Sequence, residues 1–381
     1  MQAYKKRGFW VGLGVFFLVI LSPNPESLSP IGWAVAAVTL LMAIWWATEA
    51  VPVAVTALLP LPLFPLLQVT DFKAAALPYA NPNIYLFMGG FILALGIESS
   101  GLHKRLALKM LILVGNSGAK LVGGFMLVSA VISMWVMNTS TTLMLLPIGL
   151  AVCASVAETI PNFSAKQRKN FETSLLLGIA YAASIGGMST LVGTAPNIIF
   201  AAFMLETYGI EISFIDWMKL GVPIASIMLV ASWYTITKFV YPVNFVASME
   251  TKLQLRNMLT DLGPLGRDEK KVLVIFLFAA GAWMFRTLLD NFVPLSGLTD
   301  AGIAILAALS FFFIPSENNK TDLLTWEQAN KLPWGLLVLF GGGLSLATSI
   351  GSSGLGSWIG QGLTVLENVP LETMCVTVTF V

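Results

Sequence analysis

Apolar positions in this chain run on in long blocks and show neither strand-like alternation nor a clear polar face. They cover residues 8–22, 31–48, 51–69, 84–102, 121–156, 174–205, 217–241, 272–289, 301–314 and 334–350, and a last block begins near 369 and stops at Val381. A helix needs about 20 apolar residues to cross a bilayer, so most blocks predict one span each. The fourth continues to about Val114 as an amphipathic stretch. Two blocks need another reading. Residues 121–156 are long enough for two crossings and carry Asn138, Thr139, Ser140, Thr141 and Thr142 in the middle, while 174–205 is interrupted by Gly193 and Pro196. The first block, preceded by Lys5, Lys6 and Arg7, lacks a small-x-small cleavage site and runs into Ser22-Pro23-Asn24-Pro25, so it is read as a retained first span.

Composition closes off the soluble classes. Of 381 residues, 56% are hydrophobic and 11% charged, with a mean hydropathy of +0.82. A soluble domain carries about 25% charged residues, so too little polar surface exists here to cover a water-exposed body. The expected fold class is an all-α polytopic membrane protein with about ten membrane segments. A net charge of +1 supplies no field for nucleic acid. Cys153 and Cys375 are too few for a disulfide framework and read as membrane-buried thiols, and His103, the only histidine, cannot build a zinc site. With no nucleophile–base pair or metal-ligand cluster, no enzyme is expected.

Sidedness follows from the basic residues. Lys5, Lys6 and Arg7 set the N-terminus inside. Three crossings put Asp71 and Lys73 outside, and a fourth returns His103, Lys104, Arg105, Lys109 and Lys120 inside. Lys166, Arg168 and Lys169 lie beyond the 121–156 block and belong inside as well, so that block must enter and leave on the same face. It is a re-entrant hairpin with Asn138 to Thr142 expected at its tip. Glu206, Glu211, Asp290 and Asp300 then fall outside, and Lys252, Arg256, Arg267, Lys270, Lys271, Lys320 and Lys331 inside. Lys219, Lys238 and Arg286 sit near span ends, where snorkelling is the expected explanation.

Residues 87–102 align without gaps to 340–355, with 10 identities in 16 at an offset of 253. Chance supplies roughly one or two, so the chain contains a duplication. The first copy begins outside and the second inside. Inverted repeats with broken helices build secondary transporters whose binding site lies near the bilayer midplane.

Two segments converge on such a site: the hairpin segment 133–142 and the break 184–197. Irregular backbone at membrane depth is tolerated only where it lines a cavity or is buried in protein. Freed carbonyls and the Asn138 amide oxygen are hard donors suited to Na+, and half-helix N-termini present N–H groups to an anion. Serine and threonine in membrane helices ordinarily bond their own backbone or a neighbouring helix, but five consecutive polar residues facing a Gly/Pro break exceed that need. Neither segment holds an acidic residue, which argues against a carboxylate proton relay. Glu49 reads as a structural tie between span ends and Glu98 as interfacial.

At these residues the chain resembles the divalent anion/sodium symporter family, carriers of dicarboxylates, citrate and sulfate. The resemblance runs over nearly the whole chain: the Trp46-Ala47-Thr48-Glu49-Ala50 segment, the Gly89-Gly90-Phe91 span, the Asn138-Thr139 hairpin and the Gly193-Thr194-Ala195-Pro196-Asn197 break. It implies a homodimeric elevator in the plasma (inner) membrane, with a transport domain sliding against a scaffold. On that basis residues 1–114 and 272–366 are scaffold, 115–245 the transport domain, 246–271 a cytoplasmic link and 367–381 the start of a second hairpin. The resemblance implies that Asn138 and Thr139 bind a substrate carboxylate, that Thr194 supplies a substrate-side hydroxyl, and that Ser133, Asn138 and the Gly193 carbonyl hold Na+. The family's Ser-Asn-Thr signature departs here at Met137, whose role would have to run through its backbone carbonyl.

The expected function is Na+-coupled transport of a small divalent anion, a C4-dicarboxylate such as succinate. Na+-independent exchange is the alternative within the family, and an anion channel a more distant one. Its expected partners are the anion, Na+, the lipid bilayer and a second copy of the chain. The repeat offset puts the counterpart of Asn138 beyond Val381, so the pattern predicts roughly 70 to 100 further residues, by analogy with the first repeat.

Overall fold

The computed structural model describes residues 3–113, 117–160, 163–246, 249–289, 297–317 and 321–362. Among these residues there are helices and no strands. In chain order they are α1 (Ala3–Leu21), α2 (Pro30–Thr48), α3 (Val53–Thr56), α4 (Pro60–Leu66), α5 (Phe72–Ala76), a 3-10 turn (Leu77–Ala80) and α6 (Pro82–Ser99). Then follow α7 (Leu102–Leu113), α8 (Gly118–Ser133), α9 (Asn138–Thr159), α10 (Ala165–Gly187), α11 (Ala195–Tyr208) and α12 (Phe214–Tyr234), which continues as a π-helical turn (Thr235–Val240). The last are α13 (Met249–Asp261), α14 (Arg267–Leu289), α15 (Asp300–Ser310), α16 (Trp326–Ala329), α17 (Trp334–Ser352) and α18 (Leu355–Gly362). Among the described residues, five segments are long and apolar enough to cross a membrane. Apolar side chains face outward along them: Leu220, Ile227 and Val230 of α12 are all exposed, as lipid contact requires.

Most spans match the apolar pattern, with four corrections. Residues 51–69 are not one continuous helix but the short helices α3 and α4, α4 starting afresh at Pro60, whose missing N–H cannot carry α3 onward. Side-chain donors also reach this segment: Trp46 Nε1 donates to the Val53 carbonyl at 3.1 Å and the Tyr79 hydroxyl to that of Ala57. The hairpin turns at 134–137, and Asn138 to Thr142 form the first turn of α9 rather than the tip itself. Arg286 does not snorkel; it is mostly buried between Glu211 (2.9 Å) and Asp300 (3.2 Å). The polar link 246–271 contains a helix, α13. Residues 369–381, expected to begin a second hairpin, lie outside the described residues, as does Cys375; Cys153 is a buried free thiol.

The chain forms two compact units. One comprises the described parts of Met1–Ile84, Ala202–Ile210 and Pro333–Val381. Its core joins α1 and α2 through small residues: a β-carbon on Gly8 would fall 2.2 Å from the Thr48 hydroxyl, and one on Gly12 2.6 Å from Trp45. Phe9 stacks on Trp45 at 5.1 Å. Lys5 pairs with Glu49 at 2.8 Å, so Glu49 is indeed a tie between the two span ends.

The second unit comprises Tyr85–Ala201 and Glu211–Leu332. Here α8, α9 and α10 pack around Val122, Phe125, Leu145, Val152, Leu175 and Ile179, all buried. Helix α10 lies against α8 because Gly186 lets the backbones touch: its missing β-carbon would sit 2.2 Å from the Ala130 carbonyl oxygen. Ser129 donates to the Ile179 carbonyl at 2.8 Å across the same contact. Packing thus groups the chain differently from repeat order.

The duplication is visible in backbone geometry. Gly101 (φ 77°) and Gly354 (φ 79°) occupy matching positions, each in the left-handed conformation that ends α6 or α17, and α7 and α18 start at the matched residues Leu102 and Leu355. The matched Gly89 and Gly342 also share a role. A β-carbon on Gly89 would meet the backbone of Ala304, and one on Gly342 that of Ala57, so each copy packs closely on backbone of the other repeat.

Candidate functional site

The hairpin turn and the helix break meet inside the second unit. Helix α10 ends at Gly186-Gly187, the backbone runs irregularly through 188–194, and α11 starts at Ala195. Pro196 falls in the first turn of α11, where its missing N–H costs nothing. The break is compact because two glycines touch: a β-carbon on Gly193 would lie 2.4 Å from the Gly187 carbonyl oxygen.

Buried irregular backbone requires donors and acceptors, and three side chains supply them. Asn197 Nδ2 donates to the carbonyls of Gly187 (2.9 Å) and Thr190 (2.7 Å). Trp217 Nε1 donates to that of Met188 at 2.9 Å. The Thr190 hydroxyl accepts from the Gly193 N–H at 3.1 Å and donates to the Met134 carbonyl, tying the break to the hairpin turn. Sequence reasoning did not assign Thr190 or Asn197 a role; their position on either side of a Gly/Pro break was the available signal.

Around this frame the expected site residues fall as follows. Ser133 is fully buried and its hydroxyl donates to Asn138 Oδ1 at 2.7 Å. Asn138 Oδ1 lies 2.6 Å, and the Gly193 carbonyl oxygen 3.1 Å, from the point a β-carbon on Gly187 would occupy. No described residue donates to the Gly193 carbonyl. Ser133, Asn138 and Gly193 therefore come together, joined by Gly187, which the sequence reading had not assigned. Met137 stands as the N-cap of α9 with no side-chain cap, and its carbonyl accepts from the Thr141 N–H at 2.9 Å. An apolar N-cap leaves the first N–H groups of α9 open, where Ser or Asn would have closed one of them. Thr139 is exposed on that first turn and Thr194 is half-buried just before α11; neither hydroxyl has a partner among the described residues.

One anchor of the hairpin went unseen in the sequence. Trp135 at the turn stacks on Phe214 (5.7 Å) and Trp283 (6.2 Å) and meets Phe276 edge-on at 4.9 Å. Asp300 fixes that aromatic wall, accepting from the Phe214 N–H at 2.9 Å through its carboxylate and from Trp283 Nε1 at 3.0 Å through its carbonyl. These contacts join residues up to 148 positions apart, which no local pattern announces.

A helical hairpin bonded to a broken helix, in a chain of apolar helices carrying an internal repeat, defines a multi-pass membrane transporter rather than an enzyme. The chain belongs to the family of the sodium:sulfate symporter transmembrane region, which matches it over residues 7–381. It is similar to the sodium-dependent dicarboxylate transporter SdcS of Staphylococcus saprophyticus, 39% identical over 383 residues, covering 98% of this chain and 73% of that protein. SdcS of Staphylococcus aureus strain USA300 is 38% identical over 368 residues, covering 95% of this chain and 70% of that protein.

Proposed function

We propose that the protein carries small dicarboxylates across the plasma membrane together with Na+, by an elevator movement within a homodimer whose N-termini are cytoplasmic. The observation that carries this reading is the pair of oxygens beside Gly187, Asn138 Oδ1 and the Gly193 carbonyl, next to the open N-terminus of α9. Neutral oxygen donors suit Na+, and free N–H groups with the positive end of a helix suit a carboxylate. In this reading Ser133, Asn138 and Gly193 hold Na+, with Met137 contributing only its already bonded carbonyl, while Asn138, Thr139 and Thr194 face the substrate. Residues 133–142 and 184–197 contain no Lys or Arg, so the substrate's charge is met by Na+, N–H and hydroxyl groups. The similarity to proteins named sodium-dependent dicarboxylate transporters supports Na+ as the coupled ion and a dicarboxylate, succinate among them, as cargo. Cytoplasmic assignment of the basic loops is supported by two ion pairs, Lys5–Glu49 and Arg105–Glu269, each joining residues assigned to the inner face.

The test is Na+-dependent succinate uptake, with binding by calorimetry, in reconstituted vesicles. Asn138→Ala should abolish Na+-dependent binding and uptake without affecting membrane insertion. Wild-type Na+ dependence in that variant would refute the assignment, and wild-type uptake without Na+ would favour exchange. Thr194→Val removes one hydroxyl from a nearly isosteric side chain and should weaken succinate binding roughly 5- to 15-fold, the worth of one hydrogen bond, with little change for Na+. Equal losses for both ligands would count against a substrate-side position for Thr194.

A further inference from the structure

The carboxylate of Glu206 takes no part in the site above, yet it joins three separated stretches of chain. Asn81 Nδ2 donates to one of its oxygens at 2.7 Å and the Thr348 hydroxyl to the other at 3.1 Å. Asn81 is buried just before α6, Thr348 lies in α17, and Glu206 is in the last turn of α11. All three belong to one compact unit, whose boundary cuts α11 between Ala201 and Ala202. One helix thus begins at the Gly193 break and ends bonded to the 3-10 turn–α6 junction and α17. The sidedness of the basic residues puts Asn81, Glu206 and the end of α17 at the outer face.

We infer that Glu206 is a positioning residue of the transport cycle: an outer latch that bonds the end of α11 to scaffold segments of both repeats and is released when the transport domain moves. The inference rests on the scaffold and transport roles proposed above, in which Asn81 and Thr348 are scaffold and Glu206 is transport domain. Three observations carry it. The latch is bipartite, one oxygen to each repeat, so it registers α11 against both halves of the scaffold together. It is reversible, because Glu206 is exposed and water replaces both donors when the bonds part. It has room beside it, since Glu206, Asn81, Thr348, Phe203 and Leu344 line a cavity of about 660 Å³. Helix α11 runs roughly 17 Å from Ala195 to Glu206 at 1.5 Å per residue, so a shift at the break is transmitted to the latch by a rigid rod. Each hydrogen bond to a charged group is worth about tenfold or more in a population, and losing both should shift the latched fraction by roughly 100-fold.

The experiment uses the 381-residue chain in vesicles, with Cys153→Ala and Cys375→Ala as background and reporter cysteines Ala80→Cys and Thr207→Cys, which line the same cavity. A short bifunctional thiol reagent reads how often the two cysteines are close. Without ligand, Glu206→Gln should slow cross-linking at least about tenfold and Thr348→Val by less, with unchanged melting temperatures, because the contacts lie at an exposed carboxylate. Adding Na+ and succinate should change the cross-linking rate in the reporter protein and much less in Glu206→Gln. Equal ligand-free rates with and without the carboxylate overturn the latch. Ligand-independent cross-linking, where calorimetry shows that Na+ and succinate bind, overturns its coupling to transport. Absence of any Na+ or succinate binding would instead sink the carrier reading, and the ligand-free comparison would still decide the latch.

Discussion

A single methyl group added at position 187 is expected to abolish Na+ binding and Na+-dependent uptake while the chain still folds. In Gly187→Ala the new β-carbon would stand 2.6 Å from Asn138 Oδ1 and 3.1 Å from the Gly193 carbonyl oxygen, between the two donors proposed for the ion. Losing both is worth at least about 100-fold in affinity, at ~1.4 kcal/mol per tenfold and ~1.5–3 kcal/mol per bond to a charge. The stability cost is smaller. Overpacking costs ~1–3 kcal/mol, partly offset by up to ~1 kcal/mol when glycine in a helix becomes alanine. Gly14→Ala, where the added carbon meets nothing within 4 Å, is the matched control. Calorimetric Na+ titration with thermal melting separates the two effects. Unchanged Na+ affinity in Gly187→Ala would remove the ion from this position.

Arg105→Ala should destabilise the fold by ~3–5 kcal/mol, the cost of breaking a buried ion pair by removing one partner. Both side chains are almost wholly buried, with 7% of Arg105 and 10% of Glu269 exposed. Arg105 Nε donates to Glu269 at 2.8 Å, and its two terminal nitrogens donate to the carbonyls of Leu262, Gly263 and Pro264 at 2.8–3.1 Å. The guanidinium therefore stops α13 at its negative end while holding the start of α14. Arg105→Lys should recover less than half of the loss, because a point charge cannot reproduce the planar fork. Burial pushes the Glu269 carboxyl up, but the Arg105 guanidinium and the Gly266 N–H outweigh it and leave it below its ordinary value of 4.5. The ionised carboxylate is thus favoured by folding. The wild-type advantage over Arg105→Ala should be complete above about pH 4.5 and fade only as pH falls through the lower folded-state value. Denaturation in detergent at several pH values checks both points. A difference below ~1 kcal/mol at neutral pH would show that the pair is not structural.

The two expectations divide by what carries them. Position 187 was legible only as a member of the 184–197 break; that it faces Asn138, 49 residues earlier, is decided by the packing of α10 on α8. Arg105 was counted among the basic residues of the inner face, and that assignment carried no hint of the carbonyl cluster it serves. Glu49 was the opposite case. A charged residue flanked by apolar spans has few places to go, so a tie between span ends was readable, while Lys5 as the partner came from the structure.

By itself the sequence determined the class of the protein, the approximate spans, the re-entrant hairpin, the helix break and the duplication. These follow from quantities that are local or repeated: run length against bilayer thickness, the sign of loop charges, glycine and proline as helix breakers, and identity at a fixed offset. Only the tertiary structure decided that 51–69 is broken in two, that the hairpin turns before Asn138, that Arg286 is paired, and that Thr190 and Asn197 hold the break together. The physical reason is common to all four. Each depends on where a freed backbone group or a buried charge finds its partner, and in a chain with so few polar side chains that partner is set by which helices touch, not by what stands next to it in sequence.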